Sequence, residues 1–214
     1  MLNTSNDIKN PGLNILPPGV ERHVVNGGGL SGFQIFPDDE LEIINNEGNQ
    51  ICEVVCFDKE GNSDVGILNL KSNSEKNFTR NILSGKDESI LATNYQLNKR
   101  NLKISNSKSS IIFDKDTKPG EKINLKSKDK CYAIFTAPGE DMDITKQNPP
   151  TDLTIFIKRA KITNDKELNI IPDPVFEPMY EENINKESCI SYEVKEGDYI
   201  QVISPTGRQC SDFV

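Results

Sequence analysis

The rarest reactive side chain sets the first bound on what this chain can do. His23 is the sole histidine among 214 residues. A HExxH zinc site needs two histidines and is excluded. Any Ser-His-Asp or Cys-His relay would have to run through His23. Five cysteines (Cys52, Cys56, Cys131, Cys189 and Cys210) form an odd set without a CxxC pair. This favours free thiols in a reducing compartment over a disulfide framework. On a strand, Cys52 and Cys56 share a face about 13 Å apart, too far to hold one metal. They read as small buried apolar residues. Gly27-Gly28-Gly29 lacks the Gly-Lys-Ser/Thr that opens a helix in a phosphate loop, and a strand pattern follows, so a turn is expected. The run from Asp58 to Asp64 has the oxygen content of a calcium loop. It lacks the glycine and the terminal acid that loop requires, so a solvated turn is expected there. Asp141 and Asp143, after Pro138-Gly139, read as a loop.

Gln50 and Glu53 are the polar residues with the most to offer. Each sits just past a turn glycine, Gly48, and each has a counterpart far along the chain. Residues 33–55 and 192–214 align without a gap. Asp39 matches Asp198, Ile44 matches Ile203, Gly48 matches Gly207, and Gln50 matches Gln209. Ile35, Leu41 and Ile43 meet Val194, Ile200 and Val202, while Glu53 meets Asp212. Such a match keeps strand alternation and turn glycine together, which marks an internal repeat. Gln50, Glu53, Gln209 and Asp212 could present amides and carboxylates to a ligand in a barrel mouth. They could equally satisfy backbone groups at strand ends. Arg208 and Cys210 add a cation and a thiol to the second copy alone, so a site, if there is one, is expected there.

The elements that would position these residues repeat with period two. Residues 33–36, 41–44 and 51–57 alternate as strands. The last two are expected to form a hairpin around Asn45-Asn46-Glu47-Gly48. Further strands are expected at 19–25, 101–105, 110–113, 122–126, 131–136 and 153–162. The last carries apolar residues on both faces, as a central strand does. Residues 118–135 echo the hairpin pattern loosely. One short helix is expected over 74–83, with Ser74 as its N-cap. The predicted organisation is an N-terminal arm (1–18), a β-domain (19–162), a Pro- and acid-rich linker (163–187) and the start of a second copy (188–214). The second copy stops on Phe213-Val214, which would leave an unpaired apolar strand. The chain is therefore expected to be the N-terminal piece of a longer protein.

Composition narrows the partners. A net charge of −8, with Lys and Arg scattered among the acids, argues against binding nucleic-acid backbones. The start of the chain lacks the apolar core of a secretory signal, and no stretch approaches the apolar length of a membrane helix. A soluble, cytoplasmic protein with no membrane partner is expected.

The run from Tyr192 to Ile203, followed by Gly207-Arg208-Gln209-Cys210-Ser211-Asp212-Phe213, resembles the urea carboxylase-associated domain family. The similarity is to the form found upstream of a glycine-cleavage T-protein-like aminomethyltransferase domain. Gly48-Asn49-Gln50, the run from Ala137 to Met142 and Pro149-Pro150-Thr151-Asp152-Leu153 extend it over most of the chain. The resemblance implies a tetrahydrofolate-dependent one-carbon transferase whose folate-binding domain is not among these residues. It also implies that the enzyme domain of the same protein is the principal partner. The Cys- and His-containing segment that follows this motif in the family is missing here, so no metal site is assigned.

The fold is expected to be mainly β, a barrel or sandwich of antiparallel hairpins with one or two short helices. The leading expectation is an accessory domain that binds a small ligand or scaffolds the enzyme domain, non-catalytic by itself and without a cofactor in this chain. A self-contained small-molecule enzyme built on the repeat's Gln and acidic residues is the alternative. A homodimer paired through the Phe213-Val214 edge is a third. A deep pocket converging on Gln50 and Glu53 would favour the enzyme, and a filled interior the accessory domain.

Overall fold

The structure is a computed structural model that describes residues 16–17, 19–74, 77–86, 88–139, 149–161, 178–185 and 187–202. Alternating apolar residues build eight strands: β1 (Val20–Val25), β2 (Leu30–Ile35), β3 (Glu40–Asn45), β4 (Cys52–Phe57), β5 (Ser109–Phe113), β6 (Glu121–Lys126), β7 (Cys131–Thr136) and β8 (Leu153–Lys158). Two short helices, α1 (Phe78–Leu83) and α2 (Glu88–Lys99), lie between β4 and β5. The strands form two four-stranded sheets, ordered β1-β8-β3-β6 and β2-β7-β4-β5, and every pairing is antiparallel. The fold is mainly β, as the sequence predicts.

Each sheet turns one apolar face to the other. Val25, Leu41, Ile43, Leu153, Ile155 and Ile157 come from the first sheet. Ile35, Cys52, Val54, Cys56, Ala133 and Phe135 come from the second. Fully burying an aliphatic side chain of this size contributes about 1.5–3 kcal/mol. The first sheet's outer face is solvated and carries charged pairs such as Lys158–Glu40 and Lys122–Glu42, both at 3.1 Å. The second sheet's outer face is covered. Val55, Phe57 and Ile134 pack there against Leu83, Leu97 and Leu102 in a separate cluster.

This asymmetry explains why the expected hairpin does not form. β3 and β4 belong to different sheets. β3 is solvated on one face, whereas all six residues of β4 are buried. Setting β4 beside β3 in the solvent-backed sheet would expose Val55 and Phe57. Gly48 and Asn49 take consecutive positive φ angles, 76° and 58°, and swing the chain across the sandwich. A side chain on Gly48 would run into the backbone of Thr117 and Pro119. The echo over 118–135 is likewise a crossing, since β6 and β7 lie in different sheets.

Other expectations shift for local reasons. Residues 101–105 are not a strand: Asn101 has φ 56°, a 3-10 turn follows at Ile104–Asn106, and Leu102 is buried in the layer over the second sheet. The first helix starts after Asn77 rather than Ser74, whose hydroxyl is engaged by Glu53. α2 was not signalled by the sequence pattern. β8 ends at Lys158 because Arg159 and Ala160 turn to bind Asp39. The three glycines form the β1–β2 turn, with Gly28 at φ 80°, and Asp58 closes its own turn by accepting from the amides of Glu60 and Asn62. Among the described residues no helix is long and apolar enough to cross a membrane. The N-terminal arm and the linker fall largely outside the described residues, and so do residues 203–214 of the second copy. The described residues of 178–202 are exposed and hold neither strand nor helix.

Candidate functional site

Glu53 lies on β4 at a bulge, where the pairing with β5 shifts register between Cys52 and Glu53. The extra residue is Ile112 on β5, and β4 keeps its alternation, so Glu53 shares the face of Val55 and Phe57 and enters the layer between the second sheet and α1. Glu53 is completely buried. Its Oε1 accepts from the Ser74 and Ser109 hydroxyls, each at 2.8 Å. Its Oε2 accepts from the Thr79 amide at 2.7 Å and the Thr79 hydroxyl at 2.8 Å. The Thr79 hydroxyl also meets that of Thr136 at 2.8 Å. α1 has no side-chain cap of its own. The buried carboxylate supplies the cap from the sheet, satisfying an amide in the first turn. A carboxylate offers about four acceptor positions, and all are taken here. No lone pair is left to abstract a proton from a substrate.

Gln50 sits at one end of the sandwich, just past the Gly48–Asn49 crossing. Its amide nitrogen donates to the Ile51 and Pro138 carbonyls, at 2.9 and 3.0 Å. Its oxygen accepts from the Thr151 amide at 2.7 Å. Asn45 adds a bond from its own amide to the Gln50 carbonyl at 2.8 Å. Gln50 thereby ties together three stretches distant in sequence. The cavity beside it, lined in part by Gly48, Lys115 and Thr151, holds about 30 Å³. That is room for about one water. Buried Asn45 Oδ1 and Thr151 Oγ1 have no hydrogen-bond partner among the described residues. A shallower groove of about 260 Å³, lined by Ile51, Phe78, Ile111, Asp114, Lys115 and Asp116, opens nearby.

Gln50 and Glu53 therefore do not converge on one pocket. Arg208, Gln209, Cys210 and Asp212 lie outside the described residues. Cys52, Cys56 and Cys131 are free and buried, and no cluster of metal ligands occurs among the described residues. Burial and the Glu53 charge push the Cys52 thiol up, and the contact with Cys131 together with burial does the same to Cys56.

A second polar cluster was not predicted. Arg159 binds Glu21 through two bonds, at 2.7 and 2.9 Å, and Asp39 at 2.7 Å. His23 Nε2 lies 2.9 Å from Glu21 Oε2, and its ring packs 4.5 Å from that of Phe33. Burial raises the Glu21 carboxyl, but the hydrogen bonds from His23 and Arg159 and the guanidinium charge outweigh it, bringing the pKa down from 4.5 to about 2. The same two carboxylates hold the Arg159 guanidinium in its charged form against burial. This cluster closes the β1–β2 edge. The only cue in the sequence was the spacing of Glu21 and His23 on one strand face.

Fold and site together define an antiparallel β-sandwich in which Gln50 and Glu53 are engaged by backbone groups and hydroxyls of the domain itself. No family model matches the chain. It is 33% identical over 198 residues to the trimethylamine-oxide aldolase of Ruegeria pomeroyi. The match takes in 92% of this chain and 25% of the aldolase, so the chain spans about a quarter of that relative's length. Among solved structures, a DUF1989 family protein of Silicibacter pomeroyi aligns over 67% of this chain and 80% of that one, with 11% identity and a TM-score of 0.36.

Proposed function

We propose that this chain is an accessory, non-catalytic β-domain of a longer one-carbon enzyme of the tetrahydrofolate-dependent aminomethyltransferase kind. One observation supports the non-catalytic part of the reading. Gln50 and Glu53, the two described candidates for ligand binding, direct their polar atoms to backbone and hydroxyl groups, and the cavity beside Gln50 holds about 30 Å³. That volume is well below the roughly 300 Å³ of a small-molecule pocket. The sandwich then serves to scaffold the enzyme domain of the same protein, which is its partner. The name of the relative adds the substrate class. Carried to this chain, it would have the longer protein act on a methylated amine oxide. One C–N bond would break so that the methyl carbon leaves at the formaldehyde level, oxidised at the expense of the N–O bond, with a secondary amine as the other product. That carbon is the unit a folate-binding domain would accept. The self-contained enzyme is not better supported, since Gln50 and Glu53 do not meet in one pocket.

Calorimetric titration of tetrahydrofolate and trimethylamine oxide into this chain, and into the full product of its gene, tests the reading. The full product is expected to bind both and the chain neither. Saturable binding to the chain alone, lost in Gln50→Ala while the fold persists, would overturn it.

A further inference from the structure

Residues 195–198 repeat, atom for atom, a turn found inside the sandwich. In the first copy the Asp39 amide donates to the Phe36 carbonyl at 3.2 Å, and the Asp39 carboxylate accepts from the Phe36 amide at 3.0 Å. In the second the Asp198 amide donates to the Lys195 carbonyl at 3.0 Å, and its carboxylate accepts from the Lys195 amide at 2.7 Å. The third turn position has positive φ in both, 68° at Asp38 and 90° at Gly197. These positions are the ones the sequence alignment equates.

In the first copy this turn joins β2 to β3, where the chain passes from one sheet to the other. Ile35, Leu41 and Ile43 flank it and are at most 1% exposed. Their counterparts Val194, Ile200 and Val202 are 51%, 38% and 61% exposed. Tyr192 matches Phe33 and is also exposed. The second corner thus has the core face of the first, and among the described residues no strand covers it. Leaving several large apolar side chains in water on one short stretch marks an interaction surface.

We propose that residues 190–202 are the corner of a second β-sandwich unit, covered by strands of the same longer polypeptide. The inference rests on reading the chain as part of a longer protein. The covering strands are defined by the first copy. One pairs antiparallel with 190–194 as β7 pairs with β2, and another with 199–202 as β8 pairs with β3. Both must alternate apolar residues toward Val194, Ile200 and Val202. The second is expected to end in a cationic side chain facing Asp198, as β8 leads into Arg159 on Asp39.

Hydrogen exchange on the full product of the gene tests this. Amides of 190–202 are expected to exchange at least ~100-fold more slowly than those of 178–185, as in a paired strand. Val202→Lys should abolish the protection of 190–202 and leave that of β2 and β3 intact, whereas Gln201→Lys, on the opposite face, should preserve it. Free exchange at 190–202 would overturn the inference. So would protection that appears in the chain of residues 1–214 and grows with its concentration, since a second copy would then be the occupant. Either result leaves the accessory-domain reading to its own titration.

Discussion

Glu53 reaches Thr79 twice, at its amide and at its hydroxyl, and so fastens α1 to the second sheet. Removing one acceptor from a buried hydrogen-bond network leaves its donors unsatisfied in an apolar layer. Glu53→Gln is expected to destabilise the fold by about 2 kcal/mol. Ser109→Ala, which removes one bond of the four, should cost about 1 kcal/mol. Urea unfolding of the two variants measures both, and a loss under about 0.5 kcal/mol for Glu53→Gln would refute the capping role.

The Glu21–Arg159 pair makes stability depend on acid. The folded carboxyl titrates at about 2 instead of 4.5, so the unfolded chain takes up the proton first as pH falls. The contribution is full above about pH 5 and is lost as pH drops toward 2. The whole shift would correspond to about 3 kcal/mol, but Glu21 is 35% exposed and solvent screening reduces this to about 1–2 kcal/mol. Wild type and Glu21→Gln are expected to differ by that amount at pH 7 and to converge near pH 2. A gap that stays constant across the titration would rule the mechanism out.

Gln50→Glu sets a carboxyl where two carbonyls need a donor. Burial and the facing oxygens will raise the pKa of the introduced group, so the protonated form suits the site better. The variant should be destabilised by about 2 kcal/mol or more at pH 7 and should recover part of this as pH falls toward 5. Thermal melts at the two pH values decide it, and equal losses at both would show that the amide nitrogen is not the group that matters.

The thiols should sort by burial. In Cys210→Ser, which leaves only described cysteines, a disulfide reagent is expected to modify Cys189 rapidly. Cys52, Cys56 and Cys131 should react only on unfolding, because burial shields all three from the reagent and also disfavours the thiolates of Cys52 and Cys56. Counting released thiolate in native and urea-treated protein measures this. More than one fast-reacting thiol in the native state would contradict the packing.

Strands were legible from alternation, because each buries a face set by its own residues. Which sheet a strand joins was not. The clue for β4 was present in its residues: Val55 and Phe57 alternate against Cys52, Val54 and Cys56, so both faces need cover. The pull of the Gly48 turn toward a hairpin hid that signal. Gln50 and Glu53 were identifiable as unusual polar residues, and their structural role was already one of the two readings. Their partners could not be read locally. Ser74, Thr79 and Ser109 lie 21, 26 and 56 positions from Glu53, and Arg159 lies 138 from Glu21. α2 escaped notice because, among its described side chains, only Leu97 is buried and Leu91 is exposed.

The pairing of β1 with β8 sets the order of events when the chain is made. Val20 lies opposite Lys158, so the first strand waits for the last. The crossings leave no consecutive pair of strands, apart from the widely separated β4 and β5, to zip locally in one sheet. A chain emerging from the ribosome therefore has no stable half-domain to form, and apolar strands stay uncovered until about residue 160 has cleared the exit. Non-local pairing of this kind folds on the slow scale of milliseconds to seconds. The domain is expected to depend on chaperones during synthesis more than its modest size suggests.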